Sequence, residues 1–525
     1  MESKGRKEEK MNKFKKFLIV SLAVVVATSG LAGCGGKASS KGGSSTEIEI
    51  AYWNSGLGTD WLDAMIKAFE DKYSEYTVTY NATASDTAVK APFGNEGTDT
   101  IDLYMANCVY DTEYTESLED VLDSKADGEN KTIREKINPS YLELEKAGDG
   151  NVHELTYGGG ALSFVYNQKL FEQAGIRSIP KTTDELVIVC DSLAAADIIP
   201  ICHFSSANYW NYMSDAWRVQ HDGWDYFKNN FYGCTDENGA SPSKEIFTAK
   251  DGRYEVLKVC EKIITPDYVL SGSNTNHITT MQTMFLQGEC AMMITGAWVA
   301  NEMASVGTME DFSVMKTPVI SSITDKLSTI TKEKDLRKVI SAIDAVTDGE
   351  KDIAEYQDGE NYSVDGLTVS AADWEYVRKA RNTVATNYAG ETMFIPTYSN
   401  AKEGAKEFMK FMYSDEGYKI YADTLHISLP ITLDKGELDT SGWNTFEQAM
   451  YDLTNKAEQT ATSYIKSQHP IFYTGGASAY ANVSVFDKFC ANNASDRLNA
   501  DTAWEKIQKQ VNNDYENNWL ANIGE

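Results

Sequence analysis

Aromatic side chains beside amides, carboxylates or glycines are the residues of this sequence with the clearest chemistry. The chain has 29 Tyr, 19 Phe and 10 Trp. Three groups stand at predicted strand ends or helix starts: Trp53-Asn54, Asn208-Tyr209-Trp210 and Gly296-Ala297-Trp298. An aromatic ring packs on the C–H face of a sugar ring, while neighbouring polar groups hydrogen-bond the hydroxyls. The pattern therefore indicates a site for a polyhydroxylated ligand, and core packing is the alternative for each ring.

Catalytic and metal motifs fail on their spacing. His153-Glu154 begins like the zinc motif HExxH, but Tyr157 occupies the place of the second histidine. Residues 123–128 resemble the start of a calcium loop, yet Lys125 and Arg134 stand at oxygen-ligand positions. We therefore predict no catalytic residue, no metal and no cofactor. Paired glycosidase carboxylates have no local signature, so a surface glycosidase stays as an alternative.

The elements before residue 110 follow a strand–helix–strand order. Glu47–Trp53 alternates polar and apolar residues and predicts a strand, which Asn54-Ser55-Gly56 ends. Thr59-Asp60 precedes apolar residues at helical spacing, from Trp61 to Tyr73. Strands are predicted again at 77–80 and 101–105. This order is typical of a mostly parallel sheet flanked by helices.

A second pattern begins at Gly158-Gly159-Gly160, which we interpret as a crossing between two lobes because glycine frees the backbone. Strands are predicted at 162–166 and 290–294, and Pro430 marks another crossing. The C-terminal portion is predicted to be helical throughout. Helices are predicted at 168–174, 182–196, 209–220, 279–287, 296–303, 333–346 and 371–381, and at 401–423 with a break near Ser414.

The N-terminus has the pattern of an export signal. Residues 1–16 carry seven Lys and Arg, and an apolar stretch from Phe17 to Ala27 follows. That stretch is shorter than the roughly 20 residues of a spanning helix. Leu31-Ala32-Gly33-Cys34 resembles the bacterial lipobox, which implies that Cys34 is lipidated. We predict a signal peptide at 1–33 and a flexible Gly- and Ser-rich tether at 34–46.

Charge and cysteine content limit the remaining classes. Asp and Glu number 78 against 48 Lys and Arg, a formal charge of −30. Such acidity excludes a nucleic-acid partner, which would need clustered positive charge. The cysteines after Cys34 are widely spaced without a CxxC motif, so we expect mostly free thiols and leave one disulfide open.

Four segments resemble the extracellular solute-binding proteins of carbohydrate ABC importers (family 1, which includes maltose-binding protein). They are residues 157–176, 285–298, 405–417 and 428–430. The resemblance implies an α/β, two-lobed periplasmic-binding-protein fold (type II, cluster B-like) with hinge strands and a central ligand cleft. It places residues 47–157 and 320–428 in lobe 1, with an insertion at about 323–390. Residues 160–316 and 432–525 form lobe 2.

The same resemblance implies a function and a set of ligand-contacting residues. The protein would be a lipid-anchored receptor that captures a mono- or oligosaccharide and delivers it to ABC permease subunits. It would be a monomer on the extracytoplasmic face of a Gram-positive membrane, with its lipid as the only membrane contact. A non-sugar solute, such as a peptide, is the second alternative beside the glycosidase. The expected ligand contacts are Trp53, Asn54, Asp60, Trp61, Asn107, Tyr209, Trp210 and Trp298.

Overall fold

The computed structural model describes residues 45–523, apart from 55, 204–208, 237, 271–272, 475–476 and 478–484. In this part of the chain, two mixed sheets carry helices around them, and a small antiparallel sheet lies beside the second. The strands are β1 (Glu47–Trp53), β2 (Thr77–Thr83), β3 (Leu103–Asn107), β4 (Leu155–Thr156), β5 (Ala161–Asn167), β6 (Met292–Gly296), β7 (Phe312–Val314), β8 (Gln357–Asp358), β9 (Asn361–Val364), β10 (Leu367–Ser370), β11 (Thr383–Thr386), β12 (Glu391–Phe394) and β13 (Gln459–Ala461).

Helices cover most of the chain between the strands. The α-helices are Asp60–Lys72, Asp86–Lys90, Glu119–Asp123, Ile133–Lys136, Pro139–Glu145, Gln168–Gln173, Thr183–Ala195, Tyr209–Asp222, Lys244–Thr248, Gly252–Ile263, Ile278–Leu286, Val299–Glu302, Glu333–Thr347, Ala371–Arg381, Lys402–Met412, Asp415–Leu425, Thr445–Asn455, Phe486–Phe489, Ala500–Asp514 and Leu520–Ile523. Two segments, Tyr226–Tyr232 and Tyr515–Trp519, are π-helical. The predicted helices are confirmed, including the break at Ser414, whose side chain caps the second helix of that pair.

The first sheet has the strand order β2-β1-β3-β12-β4. β1 pairs in parallel with β2 and β3, as the strand–helix–strand order predicted. β12 closes this arrangement in the antiparallel direction against both β3 and β4. The helix Asp60–Lys72 buries Trp61, Leu62, Met65, Ile66 and Phe69, the apolar face expected from their spacing.

The second sheet has the order β13-β11-β5-β6, with β7 paired to β5. β4 belongs to the first sheet and β5 to the second, so the glycine triplet between them crosses from one sheet to the other as predicted. The fold is therefore a two-lobed α/β arrangement, and we name the lobes by their sheets: the first lobe and the second lobe.

The return crossing differs from the expected one. We expected the chain to enter the first lobe near residue 320, but β11 pairs with β5 and β13 of the second sheet. β12 is the strand that rejoins the first sheet, so this crossing occupies residues 387–390. The predicted boundary is wrong because the insertion ends in a short, half-polar strand, Thr383–Thr386, with no local strand signal. The remaining lobe boundaries stay a prediction.

The insertion itself is built on the second lobe. β8, β9 and β10 form the antiparallel sheet, and Tyr362 of β9 stacks on buried Trp374 with 4.3 Å between ring centroids. Arg381 donates two hydrogen bonds to the carboxylate of Asp344, at 2.9 and 3.0 Å. These bonds join the helices Ala371–Arg381 and Glu333–Thr347 of the insertion. The C-terminal portion also departs from expectation, because β13 interrupts its helices.

One disulfide links Cys202 to Cys290, and the free cysteines of the described chain are all buried. Cys190, for example, has no exposed surface in the helix Thr183–Ala195. The bond ties the segment before the helix Tyr209–Asp222 to the start of β6. Cys202 N donates to the carbonyl of Met292 at 2.8 Å, so the backbone is already paired there.

Removing this disulfide should destabilise the protein without altering its fold. The two cysteines are 88 residues apart. Without the bond the unfolded chain gains conformational entropy, which lowers the free energy of unfolding by roughly 2–5 kcal/mol. We expect the Cys202→Ala/Cys290→Ala variant to have a lower melting temperature than the oxidised wild type in differential scanning calorimetry. Reductant should not change the melting temperature of this variant.

Cys190→Ala is the matched control, because it removes a buried free thiol and should leave the response to reductant intact. Equal midpoints for the oxidised wild type and the double variant would contradict the prediction.

Candidate functional site

The two crossings between the lobes, and the segment near Pro430 predicted as a third, are bonded to each other. Gly160 N donates to Asn387 Oδ1 at 2.7 Å, which joins the first crossing to the second. Tyr388 Oη donates to the carbonyl of Ser428 at 2.7 Å, which joins the second to the third. Gly159 has φ +80°, and a Cβ there would lie 2.8 Å from Asn387 Oδ1. Glycine is therefore required at this position both by conformation and by space.

One edge of the Trp298 indole packs against glycines at the end of β6 and at the first crossing. A Cβ at Gly296 would lie 2.2 Å from its ring, and one at Gly160 would lie 3.5 Å from it. The indole is 6% exposed. Tyr209 meets it edge-on, with 6.0 Å between ring centroids. The structure thus brings together two residues predicted for the site, because β6 ends beside the start of the helix Tyr209–Asp222.

Further tyrosines extend this pair into a row. Tyr212 lies one helical turn from Tyr209, with 6.0 Å between their rings. Burial, and then the nearby Tyr464, raise the pKa of Tyr212. Tyr464 packs against Gly390, where a Cβ would lie 2.9 Å from its ring. We name Tyr209, Tyr212, Trp298 and Tyr464 the aromatic row.

The sequence-based prediction missed Tyr212 and Tyr464. Tyr212 could have been found from its spacing of three residues after Tyr209 on one helix. Tyr464 follows β13, which was itself missed, and its neighbours in sequence carry no signal.

Two carboxylates lie beside the aromatic row. Glu302 Oε2 accepts from Gln282 Nε2 at 2.7 Å. Gly56, from the loop after β1, lies against the same side chain, where a Cβ would sit 2.8 Å from Glu302 Oε1. Glu302 is exposed, yet the surrounding protein in this narrow gap between the lobes desolvates it enough to raise its pKa. Glu391 accepts from Asn387 Nδ2 at 3.2 Å, and its charge acts on Tyr209 and Tyr464.

Four of the remaining predicted residues lie at strand ends or helix starts of the first lobe. Trp53 ends β1, is half-buried, and donates from Nε1 to the carbonyl of Ala84 at 3.3 Å. Asn54 Oδ1 accepts from Gly58 N at 2.9 Å and so fixes the loop that reaches Glu302. Asn107 ends β3 and pairs in register with Glu391. Asp60 begins the helix Asp60–Lys72 and is exposed.

Trp61 lies in the core, while Trp210 is about as buried as Trp298. Trp61 has no exposed surface, and its Nε1 donates to Tyr52 Oη at 3.2 Å. Trp210 is 5% exposed and donates from Nε1 to His203 Nδ1 at 2.9 Å. Trp61 therefore offers no face to a ligand, which corrects its assignment as a ligand contact, and the assignment of Trp210 stays a prediction. Asn208 and Cys34 lie outside the described residues.

The described residues include no group of three or more His, Cys, Asp or Glu side chains that could hold a metal ion. None of the helices described has both the length and the apolar character needed to cross a membrane. What the site does offer is aromatic surface, two carboxylates and amide groups between two lobes joined by paired crossings. That combination suits reversible binding of a small polar ligand with apolar faces.

Fold and site together define a two-lobed solute receptor. Residues 55–419 match the family described as bacterial extracellular solute-binding protein, and the chain belongs to that family. A curated relative from Brucella abortus (strain 2308), named "Putative binding protein", is 26% identical over 166 residues. That match spans 32% of this chain and only 36% of the relative's own length.

Solved structures of sugar receptors share the fold. The bacterial solute receptor AcbH, whose published name states a preference for β-D-galactopyranose, has a TM-score of 0.57 at 12% identity, over 89% of this chain and 98% of AcbH. The mannobiose complex of an ABC-transporter binding protein from Bifidobacterium animalis subsp. lactis has a TM-score of 0.54 at 18% identity. That alignment covers 90% of this chain and 95% of the other. At such identities the likeness establishes the fold alone.

A methyl group at Gly296 should displace the indole of Trp298. A Cβ there would lie 2.2 Å from the ring, and overpacking of this kind costs about 1–3 kcal/mol. We expect Gly296→Ala to lower the melting temperature and to change the near-UV circular dichroism of the tryptophans.

Gly307→Ala is the matched control, because no described heavy atom lies within 4 Å of a Cβ at that position. The packing described for Trp298 is contradicted if both variants melt and absorb like the wild type.

Proposed function

We propose that the protein is a sugar receptor of an ABC importer, which binds a mono- or oligosaccharide between its lobes and passes it unchanged to a permease. The aromatic row beside Glu302 and Glu391 carries this proposal. Rings supply flat apolar surface for the C–H faces of a sugar, and the two carboxylates accept hydrogen bonds from its hydroxyls. The solved relatives with sugar ligands add support.

The contacts we propose combine sequence and geometry. In the second lobe, Tyr209 and Trp298 stack on the ligand, with Tyr212 and Tyr464 beside them. In the first lobe, Trp53, Asn54, Asp60 and Asn107 supply the opposite side. Because Gly56 of the first lobe already touches Glu302 of the second, ligand bound here contacts both lobes at once. Such contacts favour the closed arrangement, since a ligand shifts an equilibrium only by its differential affinity.

The site chemistry favours a neutral ligand over an anion. Among the described residues, no Lys, Arg or His lies within ion-pair distance of Glu302. The buried ammonium group of Lys466 is engaged with Glu154, with 3.2 Å between Nζ and Oε1. Near Glu302, an anionic solute would therefore meet a carboxylate with no cation of the described residues paired to it.

Loss of ring surface in the aromatic row should weaken sugar binding. We expect Tyr209→Ala and Trp298→Ala to raise the Kd for the best sugar of the panel by about 10-fold or more, equivalent to about 1.4 kcal/mol. Isothermal titration calorimetry against D-galactose, mannobiose, mannotriose and a chitin disaccharide measures this, with thermal shift as a first screen.

Tyr254→Ala is the matched control, because this ring packs on Trp504 with 5.9 Å between centroids, apart from the aromatic row. It should leave the Kd unchanged. Binding of a tripeptide or spermidine, but of no sugar, would replace the proposal with a non-sugar receptor. Release of shortened sugars during incubation would favour the glycosidase.

We also propose that the mature protein is a lipid-anchored monomer on the outer face of the membrane, with Cys34 as the modified residue. The lipobox-like segment 31–34 and the Gly- and Ser-rich residues after it support this. Cys34→Ser should then move the protein from the membrane fraction to the medium in an exporting bacterial host. A quantitative immunoblot of both fractions measures this. If the membrane-bound fraction of the Cys34→Ser protein equals that of the wild type, the proposal is wrong.

A further inference from the structure

A buried ion pair joins the two lobes next to the aromatic row. Lys466 follows β13 of the second sheet, and its side chain is 2% exposed. Glu154 directly precedes β4 of the first sheet, and its side chain is 3% exposed. Their Nζ and Oε1 atoms are 3.2 Å apart. The pair therefore connects segments that belong to different lobes.

A second buried carboxylate adds to the charge at this place. Glu145 ends the helix Pro139–Glu145 and is 1% exposed. Burial raises its pKa to about 7, against the opposing charge of Lys466. The backbone N–H of Lys466 donates to the carbonyl of Leu144 at 3.2 Å, so main chain and side chain both hold the segment there.

Stability alone gives little reason for such a pair. Taking two charges out of water has a large desolvation cost, and well-packed apolar side chains of similar size are often as stable or more so. What a buried pair does supply is a defined geometry, because each charge must meet its partner. The role of this pair therefore follows from the groups that Lys466 and Glu154 position.

Glu154 positions the turn that carries Tyr110. Its Oε1 accepts from the N–H groups of Val109 and Tyr110, both at 3.3 Å, and its Oε2 accepts from Thr392 of β12. Tyr110 has φ 53°, a left-handed conformation that is uncommon for a residue with a bulky side chain. The carboxylate of Glu154 thus fixes a strained turn at the end of β3.

Lys466 and Tyr473 hold the ring of Tyr110 from the second lobe. The Lys466 Nζ lies 5.1 Å from the ring centroid, within the range of a cation–π interaction. Tyr473 stacks on the same ring, with 5.7 Å between centroids and 12° between planes. Tyr110 also interacts electrostatically with Tyr464, so it continues the aromatic row toward the first lobe.

We infer that Lys466 and Glu154 are positioning residues for the ligand site, which hold Tyr110 against the second lobe and thereby favour the closed cleft. This rests on the proposed function, because Tyr110 then forms one wall of the sugar site. The pair acts through geometry: Glu154 sets the backbone of the turn, and Lys466 sets the ring and joins the lobes.

Isosteric variants separate this role from simple stabilisation. Lys466→Met leaves Glu154 without its buried cation, and Glu154→Gln leaves Lys466 with only Glu145 nearby, so each single variant should melt lower than the wild type. The double variant removes both charges and should recover most of that loss. It should still bind the best sugar of the panel about 10-fold more weakly, because Tyr110 is no longer held.

The matched control is the pair Lys228 and Glu143, whose ammonium and carboxylate also join the second lobe to the helix Pro139–Glu145. Lys228→Met/Glu143→Gln should keep the wild-type Kd. Tyr473→Ala tests the stack without disturbing a buried charge, since Tyr473 is 49% exposed. It should weaken sugar binding by a smaller factor of about 3.

The inference is overturned if the double variant and Tyr473→Ala both bind sugar with the wild-type Kd. If the wild type binds no sugar, the proposed function fails, and small-angle scattering of the ligand-free proteins tests the inference alone. The radius of gyration should then be larger for the Lys466→Met/Glu154→Gln variant than for the wild type and for the control pair. Equal radii overturn the inference.

Discussion

The contact between the first two crossings is the constraint on which the rest of this structure depends. Gly159 and Gly160 pass so close to Asn387 that the amide of Asn387 serves as the hydrogen-bond partner of the glycine backbone. This contact sets the distance between the two sheets where they meet. It also leaves room for the indole edge of Trp298, so the geometry of the proposed site follows from backbone packing at the crossing.

The aromatic residues show how the same residue type serves two purposes in one chain. Trp61 has no exposed surface and has its N–H group bonded within the protein, as expected of a core residue. Trp298 and Tyr209 lie where the lobes meet, and the neighbours that bury them come partly from crossing segments. Trp210 and Trp298 are almost equally buried, so burial alone does not decide which rings form part of the proposed site.

Much of the fold could be predicted from the sequence, because its signals are local. The alternation in β1, the helical spacing from Trp61 to Phe69 and the glycine triplet each reflect a rule that acts over a few residues. The second crossing could not be predicted, because β11 is held by β5 and β13 from distant parts of the chain. Tyr464 and Glu302 were missed for the same reason. Their positions are set by Gly390 of the second crossing and by Gly56 of the first lobe, which are distant from them in sequence.

A receptor of this design needs lobes that meet without binding each other too strongly, because ligand must contribute the difference between open and closed. Apart from the buried pair of Lys466 and Glu154, several contacts between the lobes are of that modest kind. Asn301 of the second lobe donates a single hydrogen bond to the carbonyl of Leu425 at 3.1 Å. Gly56 places only a hydrogen atom against Glu302, where a larger side chain would clash with the glutamate side chain. The carboxylate of Glu302 is exposed and can hold water in the gap between the lobes. A fully apolar seam at this place would hold the lobes together by burial of apolar surface alone, and the polar, glycine-lined gap avoids this.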